Sequence, residues 1–279
     1  MQAPETEFEK HARARQIVLD QLNRSLPARP VSKWNAKKHH YLRRYMQIFS
    51  VGMKKWSART YVDLFAGPGM CRQRDGTREP GSPLIALDRP FTHYAFVEYA
   101  LDDVRALEKR VAAHPSGDRA KVIWRDCNAA ISEVRKQMPP GGLTLAFVDP
   151  TSWQISFDTI RRLTVDRRVD LIVTFHVGGM RRVADREQPK LDQFFGTTDW
   201  RPIVARQKLL AGDLLDVYRH QLEKIGYVFD ATTPAIRVEN STGAPMYYLL
   251  FASKNPKGYE FWRKIAKEDE GGQLTLDFR

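Results

Sequence analysis

The chain has 279 residues, 42% of them hydrophobic and 28% charged, with a formal net charge of +12. That length can bury a sizeable core, as one large domain or a domain with an appendage, and the composition is ordinary for a soluble globular protein. The longest apolar stretches, such as "LTLAFV" and "MYYLLFA", are strand-sized, and "MQAPETEFEKHARARQ" has no apolar core, which excludes a bilayer span and argues against a signal peptide. Two cysteines, Cys71 and Cys127, are too few for a disulfide framework or for a zinc or iron–sulfur site of their own, so no metal and a reducing, cytoplasmic compartment are expected.

The charge is unevenly spread. Residues 1–60 hold 13 Lys/Arg against 4 Asp/Glu, which is +9 of the total and leaves +3 for the rest. A segment this basic points to a polyanionic partner, most simply RNA or DNA; a solvated helical surface is the alternative. Two helices are predicted here, roughly Glu7 to Arg24 and "WNAKKHHYLRRYMQIFSVGMKKW". In the second, Tyr41, Leu42, Tyr45, Met46, Ile48 and Phe49 share one face at helical spacing. Lys37, Lys38, Arg43 and Arg44 then fall largely on the other faces and are candidate nucleic-acid contacts. Residues 1–57 form a basic helical extension on this reading, and 58–279 the main domain.

From Arg59 strands and helices alternate. Strands are predicted at "TYVDLF" (60–65), "HYAFVE" (93–98), "KVIWRD" (121–126), "LTLAFVD" (143–149) and "VDLIVTF" (169–175). Helices are predicted at Pro83–Asp88, Leu101–Ala113, Ala129–Gln137 and Phe157–Leu163. Near-continuous apolar strands between helices mean a parallel sheet covered on both faces. A long helix follows, about Ile203 to Ile225, then "YVFD" and "APMYYLLFASKNP", two strands with no helix between them, so the sheet closes with an antiparallel pair. The tail after Lys267 is polar and expected to fray.

In an open parallel sheet, ligands sit beyond the carboxyl ends of the strands, near the topological switch point. The first four strands end on Asp63, Glu98, Asp126 and Asp149-Pro150, which folding alone does not require. The turn after Asp63 reads D-x-F-x-G-x-G, through Phe65, Gly67 and Gly69, and continues into the polar loop "MCRQRDGTREPGSP". That differs from a pyrophosphate loop, whose glycines run directly into a helix. The ligand indicated carries a ribose and an amino-acid moiety. Asp63 can hold an ammonium, Glu98 a ribose diol, and Asp126 with Cys127 the exocyclic amine of adenine, while Gly67 and Gly69 let the backbone come close. Together these groups describe S-adenosylmethionine (SAM), bound by a Rossmann-like class I methyltransferase fold with a mostly parallel seven-stranded sheet.

The segments "YVDLFAGPG", "GSPLIAL", "FVE", "AFVDP" and "MYYLLFASKNPKGYEFWRKI" follow one another in order from about Lys37 to Lys267. In these the chain resembles a bacterial family, the three-Cys-motif partner (TcmP) proteins. The resemblance implies a methyltransferase-like fold and association with a radical-SAM-like protein carrying three cysteines. That protein would be a separate partner, since this chain has two.

The fourth strand runs into "LAFVDPTSW". In amino-group methyltransferases a D/N-P-P-Y/F motif here accepts hydrogen bonds from the target nitrogen and stacks an aromatic on a flipped base. Asp149 and Pro150 match and are the expected catalytic pair, which makes nitrogen the expected acceptor. Thr151 replaces the second proline, and the aromatic, Trp153, comes one place late. No cysteine lies in this loop, which argues against a cytosine-C5 mechanism. His176, in "TFHVGGMRR", is a candidate base or substrate contact, and Arg181 and Arg182 place charge for phosphates on the same rim. Two other readings stay open: a non-catalytic or partner-dependent subunit, and a small-molecule enzyme whose basic helices merely lid the pocket.

Overall fold

The computed structural model describes residues 7–32, 34–206, 211–229, 233–240, 243 and 245–267. Helix α1 (Glu7–Ser25) leads through a two-residue strand, β1 (Arg29–Pro30), to α2 (Trp34–Gly52). Then come β2 (Arg59–Asp63), β3 (Met70–Arg72), β4 (Arg78–Pro80), α3 (Ser82–Leu87), β5 (His93–Glu98) and α4 (Leu101–Ala113). The middle holds β6 (Ala120–Trp124), α5 (Ile131–Lys136), β7 (Leu143–Val148), α6 (Phe157–Thr164) and β8 (Arg168–His176). Short helices α7 (Met180–Val183), α8 (Gln188–Phe195) and α9 (Arg201–Val204) precede α10 (Ala211–Lys224), β9 (Ile236–Glu239), β10 (Pro245–Ala252) and α11 (Pro256–Ala266).

The main sheet has seven strands in the order β6-β5-β2-β7-β8-β10-β9. β2, β5, β6, β7 and β8 run parallel, and β10 is antiparallel to both of its neighbours. This is the Rossmann-like class I methyltransferase arrangement expected from the strand pattern. Because side chains alternate along a strand, each central strand feeds two cores. Val62, Ala146 and Val148 pack with α5, α6, α8 and α10 on one face, while Tyr61, Leu145 and Phe147 pack with α2, α3 and α11 on the other. The apolar stripe of α2 lies in that second core. Tyr41, Leu42, Tyr45, Met46 and Phe49 are buried, with the Tyr45 ring 4.8 Å from Phe251 and 6.0 Å from Trp262.

Four segments differ from the sequence expectation. The polar loop after the glycine turn is a hairpin: β3 pairs antiparallel with β4 around Gly76 (φ +89°), where Asp75 accepts the Thr77 N–H, and β1 adds parallel to β3. The long helix is two helices. The first ends where Arg206 N–H turns back to the Ile203 carbonyl, and 207–210 lie outside the described residues. The described part of "YVFD" forms no strand. Gly226 (φ +90°) closes α10, and Tyr227 is buried with its hydroxyl donating to the Val169 carbonyl, while Val228 is exposed. The strand that pairs with β10 is Ile236–Glu239 instead, and α11 follows β10, capped by Asn255 accepting the Lys257 N–H. The tail after Lys267 lies outside the described residues. No helix among the described residues is long and apolar enough to cross a membrane.

Candidate active site

The chain runs from β2 outward to β5 and β6, then returns to β7 on the other side of β2. The switch point therefore lies between β2 and β7, and the acids ending these two strands, Asp63 and Asp149, flank it. Asp63 is fully buried and organises the glycine turn. Its Oδ1 accepts the Phe65 N–H (3.1 Å) and its Oδ2 the Tyr61 hydroxyl (3.2 Å). Burial pushes its carboxyl up to about 6, against the hydrogen bonds that favour the charged form, of which the Ser82 hydroxyl gives the largest. Gly67 (φ +62°) and Gly69 (φ +88°) both adopt the left-handed conformation that side chains disfavour.

Glu98, at the end of β5, is anchored on every side. Oε1 accepts the N–H groups of Tyr99 (2.8 Å) and Ala100 (2.9 Å), while Oε2 accepts the Gly67 N–H (2.7 Å) and Arg29 Nη2 (3.1 Å). Arg29 Nη2 also reaches Asp103 Oδ2 at 3.0 Å. Two arginines, Arg78 of β4 and Arg110 of α4, fix the segment that carries Arg29. Arg110 donates to the carbonyls of Leu22, Leu26 and Pro68, and Arg78 to those of Asn23 and Leu26. Asp126 is exposed and caps its own turn through the Asn128 N–H (2.8 Å). Cys127 beside it is buried, and burial pushes its thiol up to about 12.

A cavity of about 280 Å³ opens beside the glycine turn. Its walls are Phe65 to Cys71, Gly81 and Ser82; Arg29 to Ser32; Asn35, Lys38 and His39 of α2; Asp149, Pro150 and Thr151; and His176, Met246 and Tyr247. Phe65, Gly67, Gly69, Lys38, Asp149, Pro150, Thr151 and His176 were anticipated, and the fold brings them together. Asp63 stands behind the turn. Glu98, Asp126 and Cys127 lie off the cavity toward the outer strands, and Lys37, Arg43, Arg44, Arg181 and Arg182 do not reach its wall.

Lys38 departs most from expectation. It is buried, and its ammonium is hydrogen-bonded and ion-paired to Asp149 Oδ2, 5.6 Å from the centre of the Tyr247 ring. Burial alone would raise the Asp149 carboxyl; Lys38 overrides it and holds the group below its ordinary value. Burial, with Lys38 adjacent, pushes His39 down to about 3, so its imidazole is neutral. His176 is also lowered by burial, and its Nε2 is 2.8 Å from the Pro150 carbonyl, to which it donates. Trp153 does not face the cavity. Its ring sits in the core, and its Nε1–H donates to the His176 carbonyl (3.1 Å), which locks the loop to β8. Burial pushes the Cys71 thiol up to about 11, and it accepts from Asn35 Nδ2 (3.7 Å).

Reading the sequence missed Arg29, Asn35 and Tyr247 and put Lys38 on the wrong face. The signal for Lys38 was present, since positions 38, 41, 42 and 45 share one helical stripe and a lysine stands at its head. Among the described residues no group of three or more His, Cys, Asp or Glu could hold a metal ion.

No family model matches the sequence, and neither does any curated protein. Among solved structures, the chain is similar to the O-methyltransferase TomG of Streptomyces achromogenes in complex with SAM, at 14% identity, covering 91% of this chain and 93% of that one, with a TM-score of 0.46. It is also similar to an O-methyltransferase of Bacillus cereus in complex with SAH, at 10% identity over 88% and 91%, TM-score 0.47. A protein of Legionella pneumophila strain Philadelphia 1 matches at 14% identity over 80% and 87%, TM-score 0.48. Likeness at this level carries no argument about chemistry. The fold rests on the strand order, and the site on its own residues.

Proposed function

We propose that this chain is a SAM-dependent methyltransferase. The observation that carries the reading is the pair Asp63 and Asp149, which end the two strands flanking the switch point, on either side of a double-glycine turn that opens on a cavity. SAM supplies an electrophilic methyl group on its sulfonium, so the protein's share is positioning and exclusion of water. The residues fit that cofactor. Asp63 offers negative charge for an ammonium through the Ser82 side of the turn, and Gly67 and Gly69 leave the backbone approachable. Glu98, off the cavity, would accept from a ribose diol only once Arg29 moves aside. Asp149, on the cavity wall, faces the acceptor.

Nucleic acid as the acceptor is supported by the +9 carried by residues 1–60. Nitrogen as the accepting atom draws no support from the geometry, because Lys38 already occupies Asp149 and His176 the Pro150 carbonyl. The reading is tested by methyl-tritiated SAM incubated with total RNA, genomic DNA and a small-molecule extract, beside Asp63→Ala and Asp149→Ala. Label in one fraction, lost in both variants, is the expected result; undiminished transfer by Asp149→Ala would remove that residue from the mechanism.

One observation favours a second reading, a subunit that depends on a three-cysteine, radical-SAM-like partner. Both Glu98 and Asp149 are covered by cations from the N-terminal segment, as a site awaiting release would be. Transfer that begins only when such a protein is added would support it.

A further inference from the structure

We propose that the acceptor atom is a hydroxyl oxygen, held against the Lys38–Asp149 pair. This rests on the methyltransferase reading and narrows it. A target nitrogen would need three things from the loop after β7: an open carboxylate, an open carbonyl after it, and an aromatic face. In this structure Asp149 Oδ2 is paired with Lys38, the Pro150 carbonyl accepts from His176 Nε2 at 2.8 Å, and the Trp153 ring lies in the core with its N–H on the His176 carbonyl. The aromatic face is therefore missing from the cavity, and Asp149 Oδ2 and one lone pair of the Pro150 carbonyl are already in use.

What the pair presents instead is a donor beside an acceptor. A hydroxyl has one proton and two lone pairs. It can donate to Asp149, accept from Lys38, and keep its second lone pair for the methyl group. An amine has one lone pair, which must face the methyl, and so leaves the Lys38 ammonium opposed to the N–H groups. A ring nitrogen that attacks has no proton for Asp149, and neither has an oxyanion. Lys38 also lowers the cost of proton loss from a hydroxyl, as a neighbouring cation does for any acid. Its 5.6 Å approach to the Tyr247 ring and its burial fix the ammonium where the oxygen must come.

The step balances. An oxygen lone pair forms the new C–O bond while the C–S bond breaks, its electron pair remaining on sulfur as a neutral thioether. The hydroxyl proton passes to the Asp149 carboxylate and on to water. Once methylated the oxygen is a strongly acidic oxonium, so a carboxylate held below its ordinary pKa still takes the proton.

The same chemistry has two sources, the ribose 2′-hydroxyl of RNA and the hydroxyl of a small molecule. The experiment uses methyl-tritiated SAM with total RNA, genomic DNA and a small-molecule extract, and determines the linkage of the label. In RNA, a 2′-O-methyl group blocks alkaline cleavage and leaves labelled dinucleotides, whereas a base methyl appears in mononucleotides. In the extract, hot hydriodic acid releases an O-methyl group as volatile methyl iodide and leaves an N-methyl group in solution. Alkali-resistant label in RNA, or acid-volatile label in the extract, is the expected result. Label on a base, in DNA, or on a nitrogen of the extract overturns the hydroxyl and leaves SAM-dependent transfer standing.

Equilibrium dialysis with the same SAM separates the other failure. No binding by the wild type, or binding with no label in any fraction, overturns the methyltransferase reading and this inference with it. Lys38→Met should lower transfer by about 100-fold or more while SAM affinity stays within about threefold; unchanged transfer refutes the role of Lys38. Thermal melting provides a readout independent of turnover. Lys38→Met should melt lower because it strands Asp149, and Asp149→Asn in the same chain should restore most of the loss. If Lys38→Met does not fold, the linkage of the wild-type product decides by itself.

Discussion

Replacing Arg29 with alanine should tighten SAM binding, although it deletes two ion pairs. The guanidinium lies over the glycine turn, where a Cβ placed on Gly67 would meet Arg29 Cζ at 3.2 Å. It bonds Glu98 at 3.1 Å and Asp103 at 3.0 Å. Glu98 already accepts four hydrogen bonds, which fills a carboxylate, so a ribose diol that uses Glu98 must displace Arg29. The Arg29 side chain is 34% exposed, so each contact contributes about 0.5 kcal/mol and the two together about 1 kcal/mol. Removing that competitor lowers the Kd for SAM about fivefold. Isothermal titration with SAM, and with adenosine and methionine separately, checks both the size and the place of the effect. The gain should appear with SAM and adenosine and be absent with methionine. Unchanged or weaker SAM binding by Arg29→Ala would refute the placement of the ribose on Glu98.

Three further outcomes follow from buried charge. The Asp63 carboxyl, raised to about 6, should be ionised to hold an ammonium, so SAM affinity should fall by up to about tenfold per pH unit below 6; a dialysis series from pH 5 to 8 should show this, and Asp63→Asn should flatten it. Burial likewise raises the Asp170 carboxyl to about 6, where it accepts from the hydroxyls of Tyr45 (2.8 Å) and Ser253 (2.6 Å). Its proton is held more tightly in the folded state than in the unfolded one, so this group's contribution to stability falls as pH rises from about 4 to 6, by roughly 2–3 kcal/mol. Asp170→Asn should lose that slope in urea titrations at pH 4.5 and 7, and parallel profiles for the two proteins would show the group to be uncoupled from folding. Arg110 is fully buried and, among the described residues, donates to carbonyl and amide oxygens, so Arg110→Met should cost on the order of 3 kcal/mol in urea unfolding, and Arg110→Lys should recover only part of it.

The central sheet was legible because its strands are apolar on both faces and end on acids. β5 and α4 keep the bounds read from the sequence, and β2, β6, β7 and β8 shift by a residue or two. Ile236–Glu239 was missed because a short edge strand alternates buried and exposed and carries no continuous apolar run. The described part of "YVFD" misled for the converse reason, since Tyr227 is there to pack and not to pair. In the site, the glycine turn and Asp149-Pro150 were readable as local motifs. Arg29 was not, and Lys38 was read as a basic contact without its pairing, because their partners lie 69 and 111 residues away and a local pattern cannot show which charge a long-range fold will bring over an acid. Trp153, a candidate substrate contact standing one place late for a stacking aromatic, has its indole in the core and a carbonyl for its N–H.

Helix α2 has one further consequence. The residue that meets Asp149 and the residues that meet Phe251 and Trp262 lie on one uninterrupted rod, two turns apart between Lys38 and Tyr45. A single residue inserted between them would rotate one end against the other by about 100° and advance it by about 1.5 Å. With Tyr45 fixed in the core and bonded to Asp170, the whole error would fall on Lys38. The helix thus works as a gauge between core and acceptor: substitutions on its outward side should be tolerated, while a change of length within those two turns should disconnect the roof of the cavity from its floor without unfolding either.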